Sequence, residues 1–175
     1  MAEIPIPETM KAEVREDTII VRGRLGTLKK NIRKLPVVVD IHDNKIIIRP
    51  RGTRKRDLAI TNTAKSIITN LLTGLEKGFT YKLKIVSAHF PLSVKVRGDK
   101  VYVENYFGER APRVSQIRGE ETKVAVVGDD VIVQGPSLED VSQTSANIEL
   151  STRMKGKDNR VFLDGLYIYS KEKGI

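Results

Sequence analysis

The sequence predicts an α+β protein made by internal duplication, with two similar units that are each an antiparallel sheet packed against one helix. Three observations carry that prediction. Apolar and polar residues alternate over short runs punctuated by Asp, Asn and Gly, the pattern of half-buried strands and hairpin turns. Two other segments space their apolar residues by three and four, the pattern of a helix with one buried face. The order of these segments in residues 1–86 is repeated in residues 87–175.

In the first unit, residues 10–23 alternate on both sides of a turn at Glu16-Asp17, so Val14, Ile19 and Val21 share the inward face of a hairpin. Residues 37–49 repeat the device, with Val37, Val39, Ile41, Ile46 and Ile48 flanking the turn formers Asp43-Asn44. A basic stretch from Arg49 to Arg56 leads into the longer helical period. There Ile60, Ala64, Ile67, Ile68, Leu71, Leu72 and Leu75 form one apolar stripe, with Gly74 and Gly78 as stop signals. Residues 79–85 alternate again and close the unit as a strand.

The second unit follows the same order. Leu92, Val94 and Val96 turn at Gly98-Asp99 into Val101 and Val103; Val124 and Val126 turn at Gly128-Asp129 into Val131 and Val133. Ser137 is the expected N-cap of a shorter helix, with Asp140 as its capping-box partner and Val141, Ser145 and Ile148 on the buried stripe. Residues 161–163 and 166–169 are then expected as strands around Asp164-Gly165. The copies align: Val14, Asp17, Ile19 and Val21 match Val96, Asp99, Val101 and Val103 at an offset of 82, and Asn44, Ile46 and Ile48 match Asp129, Val131 and Val133 at 85. The break is expected at residues 87–91, Ser-Ala-His-Phe-Pro, giving units 1–86 and 87–175.

Composition bounds the chemistry. The 175 residues include no Cys, which excludes disulfides, thiolate zinc sites, iron–sulfur clusters and cysteine nucleophiles. Apolar runs such as Ile46-Ile47-Ile48 fall far short of the about 20 residues of a membrane span, and no secretory signal pattern opens the chain. A cytoplasmic protein is expected. With 31 Lys+Arg against 22 Asp+Glu the net charge is +9, which points to a polyanionic partner, nucleic acid before membrane. Residues 1–86 hold 18 basic and 9 acidic residues, residues 87–175 hold 13 of each, so all of the surplus lies in the first half.

No catalytic constellation emerges, and neither an enzyme, a metal, a cofactor nor a small-molecule substrate is expected. His42 sits beside a hairpin turn and His89 at the expected junction, where polar packing accounts for it. The carboxylate pairs at 120–121, 129–130 and 139–140 belong to turns and a helix start. Gly23-Arg24-Leu25-Gly26 spells the loop of a KH domain but follows a strand and precedes no helix, so a tight turn is the reading. Residues 77–81 resemble an RNA-recognition strand, yet aromatics are 5% of the chain, which speaks against stacking on splayed bases and for Phe79 and Tyr81 in the core.

The basic clusters carry more. Lys29, Lys30 and Arg33 are expected in a loop between hairpins, and Arg51, Arg54 and Lys55, around Gly52, in a loop before the long helix. Arg110, Arg113 and Arg118 are expected between the hairpins of the second unit. Arg153, Lys155, Gly156, Lys157 and Arg160 follow its helix. Arg and Lys in short loops, with glycines that let the backbone approach, suit phosphate and shape recognition of folded RNA better than base readout by a groove helix.

Nearly the whole chain resembles ribosomal protein six of the large subunit. The resemblance is carried by Ile4-Pro-Ile-Pro7, Gly23-x-x-Gly26-x-Leu28, Thr63-Ala-Lys-Ser-Ile-Ile-Thr-Asn70, Gly74-Leu-Glu-Lys-Gly-Phe79, residues 135–148 and Lys155-Gly-Lys157. Asn105-Tyr-Phe-Gly-Glu-Arg-Ala-Pro112 and Arg160-Val-Phe-Leu-Asp-Gly-Leu-Tyr-Ile168 are similar to its archaeal and eukaryotic branch. Where the bacterial branch usually has Pro-Tyr-Lys-Gly-Lys-Gly, this chain has Arg153-Met-Lys-Gly-Lys-Asp158. The resemblance implies a structural protein that binds large-subunit rRNA near the sarcin–ricin loop. It implies neighbouring ribosomal proteins at the stalk base, with translation factors adjacent. It places the main RNA contact in the second unit, on Arg110, Arg113, Arg118, Arg153, Lys155, Gly156, Lys157 and Arg160; the basic residues of the first unit are added from charge. The rival reading is a protein–protein adaptor whose basic first half serves solubility. Membrane binding would need a basic amphipathic helix and is not expected.

Overall fold

A computed structural model describes residues 2–158 and 160–175 and divides the chain into two units, Met1–Gly78 and Phe79–Ile175. Unit 1 contains β1 (Ala2–Pro5), β2 (Lys11–Arg15), β3 (Thr18–Gly23), β4 (Gly26–Asn31), β5 (Val37–His42), β6 (Lys45–Pro50) and α1 (Lys55–Glu76). These strands form two antiparallel sheets, in the orders β1-β6-β5 and β2-β3-β4. Asp43 and Asn44, at φ of 48° and 59°, make the left-handed two-residue turn that matches strand twist, so Ile46 and Ile48 on β6 point with Val37 and Val39 toward α1. Ala64, Ile68, Leu72 and Leu75 are the buried face of α1. The helix ends where Gly78, at φ 76°, donates its N–H to the Gly74 carbonyl.

Unit 2 contains β7 (Phe79–Val86), β8 (Ser93–Arg97), β9 (Lys100–Glu104), a single 3-10 turn (Tyr106–Gly108), β10 (Arg113–Gln116), β11 (Lys123–Val127), β12 (Asp130–Gly135), α2 (Leu138–Ser151) and β13 (Gly165–Lys173). Its sheets are β10-β9-β8 and β11-β12-β7-β13. Ser137 caps α2 as expected, its Oγ accepting the Asp140 N–H at 3.3 Å. Val141 and Ile148 turn inward onto Val101, Val103, Val131, Val133 and Leu83.

The duplication recurs at the level of topology, with a different phase from the one the sequence suggests. Strand 79–86 does not close the first unit. It lies between β12 and β13, with Leu83 opposite Val131 on one side and Ile168 on the other. Sheet order β5-β6-β1 therefore corresponds to β11-β12-β7, and β7 is the counterpart of β1. Two backbone hydrogen bonds outside the ladders repeat with it. Ile32 donates to the Asp17 carbonyl and Ile117 to that of Asp99, both at 2.8 Å, and Ile6 donates to Asn44 at 2.9 Å as Ile85 does to Asp129 at 2.8 Å. β13 is the addition that only unit 2 carries among the described residues.

Other expectations are also corrected. Lys29 and Lys30 lie on β4, an edge strand, rather than in a loop, and Lys55 opens α1. Arg113 begins β10. Residues 161–163 form no strand, because Val161 and Phe162 turn back to donate to the Asp158 carbonyl at 3.1 and 3.0 Å.

Candidate nucleic-acid interface

The basic residues of unit 1 are spread over separate elements. Lys29 is exposed on β4, with Lys30 beside it, and Arg33 follows in a turn whose N–H is taken by Asn31 Oδ1 at 2.9 Å. Arg54 precedes α1 and donates its own N–H to the Asp57 carboxylate at 3.1 Å. Arg51 is exposed nearby, and a Cβ at Gly52 would press on the Asp57 carboxylate that takes the Arg54 N–H, so the glycine already has a local role at the start of α1. Phosphate approach is not needed to explain it.

Unit 2 is organised differently. The end of α2 and the loop after it face the segment that follows β9, and between them lies a cleft of about 470 Å³. Arg113, Arg153, Lys155 and Lys157 all line it, with Tyr106 and Phe107 on its wall. Gly156, between the two lysines, has φ 73° with open space where a Cβ would stand, so the glycine serves backbone conformation and leaves the loop uncovered.

The four cations are not equivalent. Arg113 sends Nε to Glu109 Oε2 at 2.9 Å and one amino group to Oε1 at 2.6 Å, while its other amino group donates to the Ser151 carbonyl at 2.9 Å. Its guanidinium lies 4.0 Å over the Tyr106 ring. The fork holds the Glu109 carboxyl below its ordinary pKa and raises that of Arg113. Burial raises the Tyr106 phenol, with Arg113 opposing, and the hydroxyl donates to the Thr152 carbonyl at 2.5 Å. Arg113 is therefore a clamp on the end of α2, and Arg153, Lys155 and Lys157 line the cleft with no ion pair among the described residues. Lys157 rests over rings, 4.6 Å from the centroid of Phe162 and 5.6 Å from that of Phe107.

Arg160 also has an acid of its own. Its Nε and an amino group bind Asp158 at 3.1 and 3.0 Å, which with the Arg160 N–H lowers the Asp158 pKa. Arg118 is exposed in a separate recess with Glu139 and Asp140, its N–H bound to Thr144 Oγ1 at 2.8 Å. Arg110 is exposed. Sequence reasoning missed Tyr106 and Phe107 as site residues; both stood only within a stretch quoted for its family likeness. It also could not separate Arg113 from its neighbours. Among the described residues no group of His, Cys, Asp and Glu could hold a metal ion, and no helix is long and apolar enough to cross a membrane.

The comparisons with known proteins agree with one another. The family described as "Ribosomal protein L6" matches residues 90–165, the stretch that holds the cleft. The chain is 40% identical over 170 residues to "Large ribosomal subunit protein uL6" of Methanosphaera stadtmanae, covering 97% of this chain and 92% of that protein. It is 41% identical to the protein of the same name from Methanobrevibacter smithii, with 97% and 95% covered. It is 40% identical to that of Ignicoccus hospitalis, with 98% and 94% covered. With this identity sustained over almost the full length of both partners, the chain belongs to the ribosomal protein L6 family.

Proposed function

We propose that the chain is a structural constituent of the large ribosomal subunit in the cytoplasm, holding folded rRNA through the loops of unit 2. The observation that carries the reading is the cleft beside α2. Three cations that have no carboxylate partner among the described residues, Arg153, Lys155 and Lys157, surround an uncovered glycine turn. Exposed Arg110 and Arg160 add positive charge to the same unit, while Arg118 lies apart with Glu139 and Asp140. The family is one of ribosomal proteins, and no catalysis is assigned. The resemblance supports a position near the sarcin–ricin loop, the translation-factor site and the stalk base, with neighbouring ribosomal proteins and translation factors adjacent.

The mechanism is fixation without turnover. Lys and Arg replace condensed counterions on phosphates, and backbone and side-chain donors set the register. Arg113 is held by Glu109 and the Ser151 carbonyl, whereas the exposed Arg160–Asp158 pair exchanges readily for a phosphate; with Arg110, Arg153, Lys155 and Lys157 this gives five unit 2 candidates for phosphate contact. Neutralising about five phosphates gives a slope of log K against log salt of roughly −3.5 to −4.5. Filter binding to large-subunit rRNA over a salt series measures it, and a flat series would exclude the mechanism. Replacing Arg153, Lys155 and Lys157 together by Ala is expected to flatten the slope by about 2 to 3 while leaving the melting temperature almost unmoved. Equal loss of stability and binding would make the loop structural instead. Failure of the full chain to co-sediment with large subunits after a moderate salt wash would favour the adaptor reading.

A further inference from the structure

The chain has five Tyr and four Phe, and every one of them falls in unit 2. The modest overall aromatic share thus hides a local concentration. Several of the rings gather beside the basic cleft. Tyr106 meets Phe107 edge-on with centroids 4.9 Å apart, Phe162 lies 5.9 Å from Phe107, and His89 stacks on Phe162 at 5.3 Å.

The backbone presenting Phe107 is held in an unusual conformation. Asn105 and Phe107 have φ of 60° and 49°, left-handed for residues other than glycine, and Gly108 follows at 74°. Such conformations persist only where the surroundings impose them, and they cluster where a side chain must be aimed. Asn105 is pinned through its amide to the Pro91 carbonyl at 2.9 Å, and Tyr106 by its hydroxyl bond and the Arg113 stack. The outcome is a half-buried Phe107 ring on the cleft wall, with the Lys157 ammonium 5.6 Å from its centroid and the His89 ring 6.0 Å away in a near-parallel plane.

We propose that this cleft receives one nucleotide turned out of its helix in folded RNA, the base stacking on Phe107 and the phosphate meeting Lys155, Lys157 and Arg153. This rests on the reading of unit 2 as the RNA contact. At about 470 Å³ the cleft has room for a single nucleotide. Stacking tolerates any base, because each has a π-face. Lys157 covers the rings in the free protein and moves its ammonium to the phosphate when the base arrives.

The full chain is titrated with large-subunit rRNA and the complex is irradiated in the ultraviolet. Phe107→Leu is expected to weaken binding about 5- to 150-fold without changing the salt slope. Phe107→Tyr keeps the affinity, and Lys157→Met flattens the slope by about one. A photo-cross-link from residues 105–109 or 162 to one nucleotide is expected, and this wild-type measurement stands even if Phe107→Leu melts early. Wild-type affinity in Phe107→Leu, or cross-links confined to other segments of a chain that still binds rRNA, would overturn the pocket and leave the RNA reading intact. Competition by free adenosine monophosphate at the concentration of the RNA would make it a mononucleotide site, also overturning the proposal. Absence of rRNA binding by the unaltered chain would sink the underlying reading itself.

Discussion

Asp164, with its side chain 1% exposed, shows how a single residue can organise a loop without touching a ligand. Its carboxylate accepts the backbone N–H of Ala88, His89 and Phe90 at 2.9, 3.0 and 3.3 Å and lies 3.0 Å from His89 Nδ1, so it ties the segment after β7 to the start of β13. Burial pushes its carboxyl up, but the hydrogen bonds from His89 and from the backbone outweigh burial and leave the pKa below its ordinary value. A depressed carboxyl contributes stability that is complete above its unfolded value of about 4 and is lost as pH falls through the folded value. Asp164→Ala is expected to destabilise by about 1–3 kcal/mol at pH 7, since it orphans three backbone donors. Thermal melts below pH 4 should fall more steeply for the unaltered chain than for the variant; parallel curves would show that Asp164 is not the group titrating. Arg113 and Arg110 teach the complementary lesson. They are equivalent on paper, and only the placement of Glu109, Tyr106 and the Ser151 carbonyl spends one of them on the fold.

At the scale of elements, those with a strong period or a cap were legible. The stripe from Ala64 to Leu75 predicts α1, and Ser137 predicts the start of α2. Ser137→Ala is expected to cost about 1 kcal/mol, because it strands the Asp140 N–H, and a urea denaturation series would register it as a lower midpoint with unchanged slope. β4 was not legible. As an edge strand it buries little, Leu28 is its only apolar side chain, and its adjacent lysines read as a loop although charge on an edge strand is a common guard against pairing with other chains. Residues 161–163 erred in the other direction: their apolar run suggests a strand, but it turns back on Asp158 and delivers Phe162 to the aromatic cluster.

For the molecule as a whole, the phase of the duplication decides where a unit can be cut. β7 is an inner strand with Phe79 and Leu83 in the core of unit 2, so a fragment of residues 79–175 is expected to fold on its own while 87–175 is not. Expression of both fragments with cooperative melting as the readout checks this; an equally stable 87–175 would mean that β13 can replace β7. The charge asymmetry changes with the same boundary. Moving β7 across assigns Lys82 and Lys84 to unit 2, which then holds 15 basic and 13 acidic residues against 16 and 9 in unit 1.

The amino-acid sequence by itself determined the fold class, the two helices, the hairpin turns and the fact of repetition, because periodicity and turn chemistry are properties of neighbouring residues. Its resemblance to a known family pointed to the same protein class that the comparisons then established. Only the tertiary structure decided which strand opens the second unit, which cations are already paired and where the rings collect. Those depend on partners tens of residues apart, such as Leu83 with Val131, Arg113 with the Ser151 carbonyl and Phe107 with Phe162, and no local pattern encodes such meetings.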